Sequence, residues 1–482
     1  MLSSDTGRKL RKTKIVCTLG PSSESEAVIR RMIQNGMSVA RLNFSHGDYD
    51  SHTAVLEQVR AMSKRVSQPV GVMVDVPGPK YRTGRTYPVE LDIVSGSTVT
   101  LTSRDIIGDR SIIPVAPAGI HRDAQINRRV LINDGLIELR VDSISGEDVH
   151  CRVMEGGEVE ATGRGVVIPD VVPSLPFFDD RAEEALAFAA EKGAEFVAIS
   201  NVTTVDDIDS TRKKLEEHGA SECFIIAKIE RPEAIEKFDS ILEASDGVMV
   251  ARGDMGVEID PWLVPGIQKK LIAKANAVGK PVITATQMLL SMVNSTRATR
   301  AESSDVFNAV LDGSDAVMLS EETAAGKYPA HVVRVMARLA LEAESDPNLE
   351  SLRARHDPSD ESPTDEVVSF GAVRMADQLD ASLIVAFTES GSTASRVSRY
   401  RPNSPILALT PYEHVSRLLT LRWGVMPAVV KKLETGDDIF GAGLEQARKT
   451  PGVEPGGTIV LVAGLPMGTQ GSTNLLHIME VD

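Results

Sequence analysis

FIIAKIERPEAIEKFDSILEASDGVMVARGD, Phe224 to Asp254, places two short apolar runs, Phe224 to Ile229 and Gly247 to Arg252, on either side of a helical segment from Pro232 to Ala244. Strand, helix and strand in that order make the βαβ unit of a parallel sheet. Polar groups gather where the strands end: Lys228 and Glu230 after the first run, Asp254 after the second. The alternation continues in both directions. Upstream lie KIVCTL (Lys14 to Leu19), SVARLNF (Ser38 to Phe44), VGVMVDV (Val70 to Val76) and FVAIS (Phe196 to Ser200), with helical stretches at Ser25 to Asn35, His52 to Val66 and Arg181 to Lys192. Downstream lie PVITAT (Pro281 to Thr286) and AVMLS (Ala316 to Ser320), with helices at Ile267 to Val278 and Ala301 to Leu311. Eight parallel strands with intervening helices is the count that closes a (β/α)8 barrel.

The barrel pattern breaks once. From about Pro77 to Pro173 the helical period vanishes, and short alternating runs such as STVTLTS, RVLINDGLIELRV and DVHCRVMEGG follow one another between glycine turns. That is the signature of a small all-β domain inserted after the third strand. Past a helix at Pro329 to Ser345, the polar stretch DPNLESLRARHDPSDESPTDE reads as an exposed connection. A second alternation follows, with strands at Ser382 to Thr388, Ile406 to Thr410, Val425 to Val430, Thr458 to Gly464 and Leu475 to Val481, as in an open α/β domain. The expected class is therefore α/β: a TIM barrel from residues 1–76 and 174–346, an inserted β-barrel at 77–173, and a C-terminal α/β domain at 347–482. A chain of 482 residues is long enough for several domains.

Composition narrows the function. With 52 Lys and Arg against 68 Asp and Glu, the net charge of -16 argues against nucleic acid or a membrane surface as partner. An aromatic fraction of 4% leaves few platforms for stacking bases. Cys17, Cys151 and Cys223 are widely spaced and read as reduced core residues. The start of the chain has no apolar signal core and no uncharged run of membrane length occurs, so a cytoplasmic location is expected.

Barrel enzymes carry their chemistry at the C-terminal ends of the strands. Those ends hold Arg41, Asn43 and Ser45, then Asp75, Ser200, Lys228 and Glu230, Asp254, Thr286 and Ser320. Singly, each has an ordinary reading as a surface pair or a helix cap. Together on consecutive strands they exceed what packing needs. Glu230 and Asp254, with no Cys or His nearby in sequence, suit a hard cation such as Mg²⁺ or Mn²⁺, and Lys228 shares a strand face with Glu230. Phosphate binding does not rest on a P-loop, since AAGK at Ala324 to Lys327 lacks the leading glycine.

ARLNFSHG (Ala40 to Gly47), IAKIE (Ile226 to Glu230), VMVARGDMGVEI (Val248 to Ile259), ATQML (Ala285 to Leu289), TRAE (Thr299 to Glu302), SDVFNAVLDG (Ser304 to Gly313) and GSTN (Gly471 to Asn474) closely resemble pyruvate kinases, in that family's order. The resemblance implies an enzyme of the last step of glycolysis, moving a phosphoryl group from phosphoenolpyruvate to ADP to give pyruvate and ATP. It implies that Glu230 and Asp254 hold the metal and that Arg41 and Lys228 stabilise the migrating phosphoryl group. It further implies that Gly253 and Asp254 meet the substrate, and that Thr286 and Ser320 line the proton path to the enolate. Asn43, Phe44, Ser45, His46, Arg82 and Arg164 resemble the nucleotide-contacting positions, the inserted domain resembles a lid, and the family assembles as a homotetramer.

Asn43, Ser45, Asp75 and the carbonyl of Val76 match the family's K⁺ cage. Lys80 in VPGPKYRTG stands where potassium-dependent members carry Glu, so a fixed ammonium is expected to replace K⁺. TESGSTAS (Thr388 to Ser395) resembles the family's loop for a phosphorylated effector, through Thr388, Ser390, Gly391, Ser392 and Thr393. Asn201 replaces the family's usual Phe and Glu321 its usual Gly, while Arg164 keeps the charge of the usual Lys. Two readings stand beside the kinase: a catalytically weakened relative that binds a phosphorylated ligand and regulates, favoured by Asn201 and Glu321, and another metal-dependent enolate enzyme on a similar barrel.

Overall fold

Strand β1 (Lys14–Thr18) hydrogen-bonds to β2 (Val39–Asn43) on one side and to β8 (Ala316–Leu319) on the other, and the ring between them closes through β3 (Gly71–Val76), β4 (Phe196–Ile199), β5 (Phe224–Ile229), β6 (Gly247–Ala251) and β7 (Val282–Ala285). Every pair in the ring is parallel, from Val16 opposite Val39 to Lys14 opposite Ala316. This is a computed structural model, and it describes residues 10–160, 162–347, 357–359, 361–433, 435–466 and 473–482. Residues 348–356 of the polar connection and Gly471 and Ser472 of GSTN lie outside the described residues.

The strands read as near-continuous apolar runs because both of their faces are buried. One face fills the barrel: Val16, Val39, Met73, Phe196, Ile226, Met249, Ile283 and Ala316 form a single interior cluster. The other packs beneath the helices, with Ile15, Ala40, Val72, Val197, Ile225 and Val248 among its members. Side chains alternate along a strand, so two residues beyond each interior residue the chain again faces the axis. From that cluster the step leads to Thr18, Arg41, Asp75, Lys228 and, on β4 and β8 through Ala198 and Met318, to Ser200 and Ser320. The same face that is apolar low in the barrel is charged at its C-terminal end.

Between β3 and the helix Asp180–Glu191 the chain builds a separate closed barrel of seven strands with its own core. Tyr81–Thr83 and Gly165–Val167, its first and last ring strands, pair with each other, so the outgoing and returning connections lie side by side. The C-terminal sheet comprises β9 (Leu383–Phe387), β10 (Ile406–Thr410), β11 (Val425–Val429), β12 (Thr458–Gly464) and β13 (Thr473–Glu480), in the order β11-β10-β9-β12-β13 with the last antiparallel. Its Leu418 and Leu421 join the interior cluster of the large barrel. Gly71, at the start of β3, leaves room for this approach: a Cβ there would lie 2.7 Å from Thr420 Oγ1. The C-terminal domain therefore seals one end of the barrel and leaves the charged end for chemistry. No helix among the described residues is long and apolar enough to cross a membrane.

Candidate active site

Lys228 Nζ lies 2.7 Å from Ser200 Oγ, 3.2 Å from Asp75 Oδ1 and 3.1 Å from Glu230 Oε1. Arg41 Nε donates to Asp75 Oδ2 at 2.8 Å, and its Nη1 donates to Thr18 Oγ1 at 2.8 Å. All four charged side chains are buried. A buried charge is tolerated only when paired, and here two cations and two carboxylates alternate. Burial pulls the Lys228 ammonium toward neutrality, but Asp75 and Glu230 outweigh it and raise its pKa above the ordinary lysine value. Burial pushes Asp75 the other way, and Arg41 and Lys228 hold it below the usual carboxylate range. Lys228 is thus a permanently charged donor beneath the site.

Glu230 and Asp254 differ in character. Burial raises the Glu230 carboxyl, Lys228 opposes the rise and nearby Asp254 adds to it. Asp254 is lowered to about 2, because Lys80 and Lys228 overcome the effect of burial. Glu230 Oε2 accepts the backbone N–H of Asn201 at 2.8 Å. Its Oε1, though close to Lys228 Nζ, is shut off from water and receives no aligned hydrogen bond. A carboxylate oxygen held by an ion pair without an aligned hydrogen bond, next to a second carboxylate, offers the kind of oxygen donor that a hard divalent cation takes. No group of three or more His, Cys, Asp or Glu suited to a metal occurs among the described residues.

Thr286 takes φ 70°, an outlying conformation for a β-branched residue. Arg252 holds it there, donating to the carbonyls of Thr286 (2.7 Å) and Ala285 (3.3 Å) and pairing with Asp305 at 2.6 Å. The Thr286 hydroxyl accepts the N–H of Gly253 at 2.7 Å, so that N–H, expected to meet a substrate carboxylate, already has a partner. Ser320 Oγ is buried with no partner among the described residues.

At the mouth, Arg82 of the inserted barrel is close enough to help lower the pKa of His46, after burial and ahead of Arg41. Arg82 pairs across the ladder with Gly165, the neighbour of Arg164. Asn43 Oδ1 accepts the N–H of Ser45 at 3.2 Å. Phe44, between them, is fully buried: its ring stacks at 4.2 Å on His52, its N–H donates to the Asp75 carbonyl at 3.1 Å and its carbonyl accepts Arg181 Nε at 2.8 Å. Of the residues expected to form a K⁺ cage, Asp75 is engaged by Arg41 and Lys228, and the Val76 carbonyl accepts the Ser200 N–H at 3.3 Å. Lys80 Nζ reaches Asp254 rather than Asp75.

Glu321 is exposed, where solvent screens it. The inward carboxylate is its neighbour Glu322, which accepts the N–H groups of Leu289 (3.0 Å) and Ser320 (2.7 Å). In the C-terminal loop, Thr388 and Thr393 are buried, Thr388 accepting Gly391 N–H at 2.8 Å and Thr393 meeting Thr473 at 2.8 Å. Ser390 and Ser392 stand at the start of the helix Ser392–Arg399, remote in sequence from the barrel mouth.

Sequence comparison gives the same direction throughout. A family model described as pyruvate kinase, barrel domain, matches residues 10–333, and one described as pyruvate kinase, alpha/beta domain, matches residues 366–479. The chain is 40% identical over 474 residues to a pyruvate kinase of Clostridium acetobutylicum, covering 98% of this chain and 100% of that protein. It is 42% identical over 471 residues to a pyruvate kinase of Staphylococcus saprophyticus, covering 97% of this chain and 80% of that protein. A pyruvate kinase of Staphylococcus aureus is 41% identical over 471 residues, with the same coverage.

Proposed function

The chain belongs to the pyruvate kinase family, and from that premise we propose which of its residues carry the transfer of a phosphoryl group from phosphoenolpyruvate to ADP. Members of the family depend on a divalent metal and a monovalent cation. In our reading Glu230 and Asp254 hold the divalent metal, Mg²⁺ or Mn²⁺. Bound there, it supplies positive charge to the substrate's carboxylate and phosphate oxygens.

The observation that carries the assignment is Lys228, a buried ammonium kept charged by Asp75 and Glu230. Phosphoryl transfer needs alignment and neutralised charge more than covalent help. Lys228 and Arg41 meet the equatorial oxygens of the migrating group as bond order to the enol oxygen falls. Asn43, Ser45 and His46, with Phe44 anchoring the segment between them, present ADP from the barrel, and Arg82 and Arg164 from the inserted domain, which acts as a lid that excludes water. The enolate left behind takes a proton on carbon by way of Thr286 and Ser320, and Ser320's unpartnered hydroxyl supports that role. Gly253 meets the carboxylate once Thr286 gives up its N–H. Lys80, beside Asp254, stands in for K⁺.

Three further parts of the reading rest on the family: a homotetramer, a cytoplasmic setting, and a phosphorylated effector held by Ser390, Gly391 and Ser392 at the start of their helix. The test is the full chain with phosphoenolpyruvate, ADP and Mg²⁺, followed by pyruvate formation. ADP-dependent pyruvate that disappears on chelation supports the assignment; none, with Mn²⁺ still bound, sinks it.

A further inference from the structure

Arg231 follows Glu230 directly, and its guanidinium is buried between the large barrel and the chain returning from the inserted one. Nη1 donates to Glu258 Oε1 at 2.7 Å, Nη2 to the Val171 carbonyl at 2.8 Å, and Nε to Glu233 at 3.2 Å. Its side chain is 4% exposed and that of Glu258 6%. Val171 closes the turn just beyond Gly165–Val167, its N–H donating to the Ile168 carbonyl at 3.2 Å while Asp170 takes φ 62°. The outgoing connection is tied separately, through Lys80 to Asp254 at 2.7 Å. Each of the two connections that carry the inserted barrel is therefore held beside one of the two proposed metal ligands.

Burying a guanidinium is costly unless several acceptors meet it, and these three come from three different parts of the chain. Its planar fork fixes a carboxylate and a carbonyl at a set angle, which a single ammonium cannot do. We propose that Arg231 is a positioning residue: it fixes the lid's returning connection to the metal-bearing end of the barrel, so that Arg82 and Arg164 arrive opposite Asn43 to His46. The consequence falls on the nucleotide. Phosphoenolpyruvate is held by barrel residues alone, whereas ADP lies between barrel and lid. The inference rests on the lid reading given above.

The test uses the full chain with Arg231→Lys and Arg231→Met, varying each substrate separately and following amide exchange without turnover. Loss of the fork raises KM for ADP about tenfold with KM for phosphoenolpyruvate within about twofold. Amides of residues 165–173 exchange faster while those of the barrel strands do not change. Glu258→Gln, which spares the Val171 bond, moves the same readings less. Equal KM changes for both substrates, or a lowered Tm with neither KM nor local exchange altered, would reduce Arg231 to packing and overturn the proposal. If Arg231→Met fails to fold, Arg231→Lys decides. A wild-type chain that makes no ADP-dependent pyruvate defeats the kinase assignment instead, and the exchange measurement still reports on Arg231.

Discussion

The ammonium of Lys80 stands 2.7 Å from Asp254 Oδ1, joining the inserted barrel's outgoing connection to a carboxylate at the mouth of the large barrel. Burial favours the neutral amine, but Asp254 outweighs it and raises the Lys80 pKa, so the charge persists at neutral pH. In the reading proposed above, this fixed cation takes the place of a diffusible one. The chain is expected to be active without added K⁺, and Lys80→Glu to lose at least about tenfold in rate without K⁺ and to recover it in KCl but not NaCl. Initial rates in tetramethylammonium buffer check this. Strong, selective K⁺ activation of the wild type contradicts it.

Lys228→Ala removes the buried donor while leaving both proposed metal ligands in place. Loss of one preorganised charge at a reacting centre costs about 10²–10³-fold in kcat. Mn²⁺ affinity, followed by electron paramagnetic resonance, is expected to survive. A variant that keeps the wild-type rate removes Lys228 from the mechanism, and one that loses Mn²⁺ and rate together assigns it to metal binding instead.

Much of this was legible in sequence for a physical reason. A strand buried on both faces has no ordinary use for charge, so Lys228 in FIIAKI and Asp75 in VGVMVDV stand out against their neighbours, and the observed bounds of β5 coincide with the run as read, Phe224–Ile229. Thr18 follows the same rule on β1 and is the partner of Arg41. What stays hidden is contact made by folding. Arg231 and Glu258 are 27 residues apart, and each looks like a surface charge until the chain returning from the inserted barrel covers them through Val171. Asn201 acts through its backbone N–H, which no side-chain pattern reports. At the end of β8 the short helix Glu321–Ala324 turns Glu322 inward and leaves Glu321 in solvent, so the carboxylate singled out by comparison with the family is not the buried one. TRAE proves structural in part: Thr299 caps the helix Arg300–Asp312 and Glu302 returns the bond.

Glu195 joins the C-terminal domain to the barrel. Its buried carboxylate accepts from Arg60 at 2.8 Å, from Arg417 at 2.5 Å and from Val72 N–H at 2.7 Å. Removing a buried member of such a network strands the others, at about 3–5 kcal/mol. Glu195→Ala is expected to lower the urea midpoint by that equivalent, with little dependence on salt because the pair is screened poorly. A shift below about 0.5 kcal/mol places the strength of the interface in Leu418 and Leu421 instead.

Glu258 gives the stability of the chain a pH dependence. Burial pushes its carboxyl up to about 7, Arg231 resisting and Glu233 adding to the rise. The unfolded value lies near the ordinary glutamate one, about 4.3. Between these values the folded chain binds the extra proton, so stability is full below the lower value and is lost as pH climbs through the upper one. From pH 5 to pH 8 the loss amounts to about 2–3 kcal/mol. Glu258→Gln removes the titration, so its stability relative to wild type is expected to improve by that amount over the same range, read as the difference in urea midpoints at each pH. A difference that stays flat from pH 5 to 8 means that Arg231 keeps Glu258 ionised throughout, and the pair is then a permanent ion pair at the hinge.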